Sequence, residues 1–260
     1  KMSYLKGNSD LNGYQPVGNE SYFEPGKHDT RISYAEAFQF YNEGDRQERR
    51  IPKEFSPIIE QYWDESRILI NNIDKMITMA MKCDDTDDIF ESNMTNGFID
   101  IRVSYYPPIS STNATHLRLS DHKDFTGFTL LKTNDVGLEV YSKKLDKWLR
   151  IKGHKNNNIL VIPGEYIEMW TNGQYISPLH RVVSYKENVN DSDYRMSIVS
   201  FTSVASNSII DVLPCQINNN IDKRIYEPIM AIDHLNKRMR DWFDIELELD
   251  TNLVDSKQEL

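Results

Sequence analysis

The stretch "GFTLLKTNDVGLEVYSKKLDKWLRI", residues 127–151, decides the fold class. "GFTLLKT" (127–133) and "GLEVYS" (137–142) read as short strands. Between them "NDVG" is turn chemistry, because Asn, Asp and Gly tolerate the backbone angles a tight reversal needs. "KWLRI" (147–151) supplies a third short strand. Working outward, the same texture runs from Phe98 to Ser203. "FIDIRVSYY" (98–106) alternates and is stopped by Pro107 and Pro108. "NILVIP" (158–163) and "YRMSIVSFTS" (194–203) continue the series. "EYIEMW" (165–170) and "QYISPLHRVV" (174–183) flank Thr171-Asn172-Gly173, and Asn-Gly between two apolar-rich runs predicts a β-hairpin. Many short strands with turns at this spacing predict a mainly β protein with flanking helices, a sandwich or a jelly roll.

The flanks have a different texture. From Glu54 to Lys82, Phe55, Ile58, Ile59, Tyr62, Leu69, Ile73, Met76, Ile77 and Ala80 recur mostly every three or four residues. That spacing predicts one long amphipathic helix or two shorter ones. A last helix is predicted from Pro228 to Phe243, with Ile229, Ile232, Leu235, Met239 and Trp242 as one stripe. Residues 1–50 are polar and weakly periodic and read as loops with short elements; the acidic tail, 244–260, reads as frayed. With no repeat and no linker, the chain is expected to form a single domain over 1–260: a helical and loop part (1–97), the β core (98–203), and a C-terminal helix and tail (204–260).

Composition narrows the function classes. The 260 residues carry 40 acidic and 30 basic side chains, a formal net charge of -10. Phosphate backbones need a basic surface, so a nucleic-acid partner is not expected. No apolar run reaches the roughly 18 residues a membrane span needs, and the opening residues show no signal-peptide pattern. Cys83 and Cys215 read as ordinary thiols of a reducing compartment, so a cytoplasmic location is expected. The Asn-x-Ser/Thr sites at Asn19, Asn93, Asn113 and Asn190 then read as chance in an Asn-rich chain.

Chemistry concentrates around "SDHKDFTGFTLL" (120–131). On a strand, residues two apart share a face, so His122 and Asp124 point the same way. Such a pair can bind a metal, carry a proton or simply hydrogen-bond. The chain has six histidines. His28, His116, His154 and His234 read as surface or hydrogen-bonded side chains. His180, among apolar neighbours in "YISPLHRVV", is an imidazole that needs a partner. Two histidines and a carboxylate suit iron(II), with three positions left open, and zinc can use the same set. Arg195 and Ser197 share one face of "YRMSIVSF" (194–201). A buried guanidinium needs an anion, and its planar fork matches a carboxylate; an internal salt bridge is the alternative.

His122-x-Asp124, then His180, then Arg195-x-Ser197 resembles the pattern of the iron(II)/2-oxoglutarate dioxygenases of the isopenicillin N synthase-like family. "RVSYYPP" (102–108), "DVGLEVY" (135–141), "WTNGQYISPLHRVV" (170–183) and "IYEPIMAIDHLNKRM" (225–239) extend the likeness over most of the chain. The resemblance implies a double-stranded β-helix, that is, a jelly roll. It implies iron(II) held by His122, Asp124 and His180, and 2-oxoglutarate held at its far carboxylate by Arg195 and Ser197, with Tyr106 sharing that grip. It implies an oxygenase that hydroxylates or desaturates a small molecule with molecular oxygen, releasing succinate and carbon dioxide. A 2-oxoglutarate-independent oxidase of the isopenicillin N synthase kind and a non-catalytic binding protein on the same fold are the alternatives. The chain departs from the family in three places. Ser104 replaces a common Asn. "YKENVNDSD" (185–193) widens the gap between His180 and Arg195. The usual N-terminal strand and helix are not seen, which would leave one edge of the major sheet open.

Overall fold

The computed structural model describes residues 13–17, 21–22, 31–41, 52–81, 97–108, 117–152, 158–184, 194–217 and 224–243. The chain begins with four short strands: β1 (Gly13–Gln15), β2 (Ser21–Tyr22), β3 (Arg31–Ile32) and β4 (Glu36–Tyr41). Helix α1 (Ser56–Met81) follows. Then come β5 (Ile99–Tyr106), β6 (Leu117–His122), β7 (Phe128–Thr133), β8 (Leu138–Ser142), β9 (Lys147–Arg150) and β10 (Leu160–Pro163). Helix α2 (Glu165–Trp170), β11 (His180–Val183), β12 (Arg195–Thr202), β13 (Ile209–Ile210), β14 (Ile229–Met230) and helix α3 (Ala231–Phe243) complete the order.

Two antiparallel sheets form the body, a six-stranded one in the order β1-β4-β5-β12-β7-β10 and a four-stranded one in the order β6-β11-β8-β9. This is the expected jelly roll. The alternation of "FIDIRVSYY" is realised in β5, where Ile99, Ile101, Ser104 and Tyr106 are buried. The edge of β5 is not open: β4 pairs along its whole length, Glu36 opposite Tyr105 through Tyr41 opposite Asp100, and β1 pairs with β4. These strands lie in the segment read as loops with short elements. Backbone pairing of β4 to β5, and of β1 to β4, makes up for a polar, weakly periodic sequence.

Helix α1 is a single helix. Ile59, Trp63, Ser66, Ile70 and Ile73 alternate four and three apart and form its buried stripe. Ile58 and Met76, expected on that stripe, are exposed. Trp63 packs with Phe40, Ile101, Phe128 and Trp170 in the main core, and its Nε1 donates to Ile99 O at 3.2 Å. Burying an aromatic of this size contributes a few kcal/mol, on the order of 25 cal/mol per Å².

The predicted hairpin arm "EYIEMW" is instead helix α2. Tyr166, Ile167, Met169 and Trp170 are all buried at helical spacing, a pattern that six residues cannot distinguish from a strand. Asn172 (φ 49°) and Gly173 (φ 82°) do adopt positive φ, but they stop the helix: Gly173 N donates to Glu168 O at 2.8 Å. Tolerance of the left-handed region serves a helix end as well as a hairpin. At the other end a Cβ on Gly164 would lie 2.2 Å from Thr126 O, so only glycine fits there.

Cys215 is disulfide-bonded, which corrects its reading as a free thiol; Cys83 lies outside the described residues. The turn carrying Cys215 packs on the end of α1, where Gln216 Nε2 donates to Met81 O at 3.2 Å. That proximity spans 135 residues and leaves no trace in local spacing. Among the described residues no helix is long and apolar enough to cross a membrane.

Candidate metal and anion site

His122 is the last residue of β6 and His180 the first of β11. The two are direct Cα partners in the antiparallel β6–β11 pair, with a register irregularity immediately after His180. Irregular pairing of this kind re-aims side chains beside functional sites. Asp124 lies two residues beyond the end of β6, so the alternation argument covers His122 but not the carboxylate. Backbone bonds hold Asp124 in place instead. Its carbonyl accepts from Glu165 N at the start of α2 (2.9 Å) and from Ser177 Oγ (3.1 Å).

The three side chains converge. His122 Nε2 is 3.9 Å and His180 Nε2 3.7 Å from Asp124 Oδ1. One ligand atom from each residue lies within 4.8 Å of the others, a grouping that can hold a metal ion. His122 Nδ1 is 2.8 Å from Ser120 O and His180 Nδ1 is 3.1 Å from Pro178 O. A carbonyl only accepts, so each Nδ1 carries the hydrogen and each Nε2 keeps its lone pair. Thr129 Oγ1 donates to Asp124 Oδ2 at 2.6 Å, so Oδ1 is the oxygen that could ligate a metal. Such outer partners orient ligands and tune them.

Arg195 opens β12 and pairs in register with Tyr106, the last residue of β5; Ser197 pairs with Ser104. All four are buried. The Arg195 guanidinium lies 4.8 Å from the centroid of the Tyr106 ring. Its Nε and Nη1 are buried without a hydrogen-bond partner. The internal salt bridge that would have made Arg195 merely structural is not formed among the described residues. Gly137, at φ 135°, lets the Arg195 side chain pass: a Cβ there would sit 3.4 Å from Arg195 Cδ and 2.9 Å from Val183 O.

Of the remaining histidines, only His234 is described. It is buried on α3, 3.0 Å from Glu165 Oε2, where Arg238 also bonds both Glu165 oxygens. Burial opposes ionisation of Glu165, but His234 and Arg238 outweigh it and lower its pKa. This cluster fastens α3 to α2 behind the site. His28, His116 and His154, and residues 185–193, lie outside the described residues.

Sequence reasoning missed three polar residues here: Thr129, Arg118 and Ser120. Thr129 sits in an apolar strand and gave no signal. Arg118 and Ser120 did give one. They precede His122 by four and two residues, on the face it shares.

Comparison with known proteins agrees with the geometry. Residues 100–204 match the family model of the 2OG-Fe(II) oxygenase superfamily. The span contains all six residues singled out from the sequence. Iron(II) and 2-oxoglutarate are the cofactors of this class. Thebaine 6-O-demethylase of Papaver somniferum is 31% identical over 168 residues, covering 62% of this chain and 43% of that enzyme. The chain thus spans less than half the length of this curated relative. A full-length Neurospora crassa protein in complex with alpha-KG and thymine superposes with a TM-score of 0.78 at 22% identity, covering 92% of this chain and 77% of that one. JOX2 in complex with 2OG, Fe and JA gives 0.75 at 22% identity, over 92% and 68% of the two chains. At such identities the superpositions establish the fold.

Proposed function

We propose that the protein is an iron(II)- and 2-oxoglutarate-dependent oxygenase that hydroxylates or desaturates a small molecule. One observation carries this reading. Three metal-competent atoms and a buried, unpaired guanidinium occupy the interior of the same jelly roll. A histidine–carboxylate set with open positions suits non-haem iron(II), and a desolvated guanidinium calls for a carboxylate.

His122, Asp124 and His180 hold the metal through Nε2, Oδ1 and Nε2. Arg195 and Ser197 hold the far carboxylate of 2-oxoglutarate, with Tyr106, whose ring centroid lies 4.8 Å from the guanidinium carbon, sharing that grip. When bound, the iron and 2-oxoglutarate supply the oxidising chemistry: oxygen is consumed, 2-oxoglutarate becomes succinate and carbon dioxide, and the substrate is oxidised by two electrons. The protein's part is positioning and charge balance. Metal 2+, Asp124 and a dianionic cosubstrate sum to -1, which Arg195 neutralises. The buried walls keep water from the reacting centre.

The test is anaerobic titration of 2-oxoglutarate into iron(II)-loaded protein, followed by oxygen and assay of succinate with a panel of small substrates. Succinate that depends on both iron and 2-oxoglutarate is the expected result. Substrate oxidation without 2-oxoglutarate would place the protein with the oxidases instead. Tight metal binding with no oxidation of any kind would leave a binding protein.

A further inference from the structure

Arg118 and Ser120 repeat on β6 the arrangement of Arg195 and Ser197 on β12. Their relative exposures are 5% and 1%, against 6% and 2% for the β12 pair. Arg118 and Ser120 alternate with Leu117, Leu119 and Asp121, so they share the face that carries His122. At about 3.3 Å per residue, Arg118 begins roughly 13 Å along the strand from His122. That places it on the strand beyond Ser120, away from His122.

The two guanidinium groups meet at one aromatic ring. Arg118 Cζ lies 5.8 Å and Arg195 Cζ 4.8 Å from the Tyr106 centroid. Arg118 donates through Nη2 to Pro107 O, but its Nε is buried without a partner, and so is Ser120 Oγ. No carboxylate among the described residues pairs with either arginine. Burial lowers the Arg118 pKa, and nearby Arg195 lowers it further, while Tyr106 and Tyr105 oppose this. Two desolvated like charges around unused donors are costly unless an anion joins them.

We propose that Arg118, with Ser120, is a second clamp on the far carboxylate of 2-oxoglutarate, so that this carboxylate lies between two guanidiniums from opposite sheets. The proposal rests on the reading of the site as a 2-oxoglutarate site. It makes Arg118 a cosubstrate-selecting residue: it acts on the far carboxylate and not on the 2-oxo acid end at the metal.

Calorimetric titration into manganese(II)-loaded protein tests this without turnover. Two acids are compared: 2-oxoglutarate, and 2-oxobutanoate, which lacks the far carboxylate. Arg118→Gln is expected to weaken 2-oxoglutarate by about tenfold or more, the scale of a hydrogen bond to a charged group. Affinities for 2-oxobutanoate and for manganese stay unchanged, and Arg118→Lys falls between wild type and Arg118→Gln. A smaller loss, or an equal loss for both acids, overturns the proposal. If Arg118→Gln does not fold, Arg118→Lys decides by the same criterion: a loss confined to 2-oxoglutarate supports the clamp, and none, or one shared by both acids, refutes it. Arg195→Ala runs alongside. If it alone loses 2-oxoglutarate, the proposed function stands and only the second clamp falls. If wild type binds no 2-oxoglutarate, both fall.

Discussion

His122 and His180 stand opposite each other across the β6–β11 pair, with ring centroids 4.2 Å apart and planes inclined at 53°. Each Nδ1 is tied to a carbonyl two residues back in its own chain, so both Nε2 lone pairs are presented toward Asp124. Each histidine is thus oriented by the backbone just before it, and Asp124 by Thr129. Replacing His180 removes a ligand without removing what orients the other two. His180→Ala is expected to lose metal, with elemental analysis at background, while its circular dichroism matches wild type. Wild-type metal content in that variant would refute the ligand assignment.

Thr129 offers a subtler test of the same centre. Its hydroxyl donates to Asp124 Oδ2 inside the core. Thr129→Val keeps the shape and removes the hydrogen bond. Loss of an outer partner of this kind typically weakens metal binding by about 10- to 100-fold. Manganese(II) titration followed by electron paramagnetic resonance should show that loss, and an affinity equal to wild type would mean Asp124 needs no such support.

How legible was all this in the sequence? His122, Asp124, Arg195 and Ser197 stood out because each lies within a short local pattern of unusual chemistry, His-x-Asp before an apolar strand and Arg-x-Ser on another; His180 joined them as an imidazole among apolar neighbours, and their proposed roles came from the family resemblance. Helix α1 was legible because 26 residues give periodicity room to repeat. Helix α2 was not, because six mostly apolar residues suit either period. Strand β4 was hidden because its stability comes from pairing with β5, a partner some 60 residues away, and β1 because it pairs in turn with β4. Arg118 was overlooked for a related reason. Its place on the face of His122 could be read from its spacing, but its burial beside Tyr106 could not.

Glu168 ties the back of the site together. It accepts from Lys123 Nζ at 3.0 Å, Ser177 N at 2.8 Å and Tyr226 OH at 2.7 Å. Burial alone would raise its pKa, but these three donors outweigh burial and lower it. A carboxyl with a depressed folded-state pKa adds stability above its unfolded value, near 4.5. That stability is lost as pH falls through the lower folded-state value. Glu168→Gln should therefore unfold more easily at pH 7, by about 1 to 3 kcal/mol. The gap from wild type should close as pH drops below the ordinary carboxylate range. Urea melts of both proteins at several pH values measure this; a gap independent of pH would rule out the charge as its source.

Arg195 is where a change in affinity reports most directly on the proposed chemistry. Its Nε and Nη1 are buried and unpaired, beside the Tyr106 ring and behind Gly137. A guanidinium so placed has already been desolvated, so an arriving carboxylate gains a charge-assisted bond at little further cost. Removing one partner of a buried charge pair typically costs about 3 to 5 kcal/mol, a factor of several hundred or more in affinity. Lysine keeps the charge but loses the planar fork, so Arg195→Lys should fall between wild type and Arg195→Ala. For a 2-oxoglutarate enzyme the loss appears in the dissociation constant for 2-oxoglutarate, with metal affinity unchanged. For an oxidase it appears in the affinity for a carboxylate-bearing substrate, and wild type turns over without 2-oxoglutarate. Titrating 2-oxoglutarate against metal-loaded wild type and both variants separates the two. Arg195→Ala binding 2-oxoglutarate as tightly as wild type would show that the unpaired guanidinium is not its anchor.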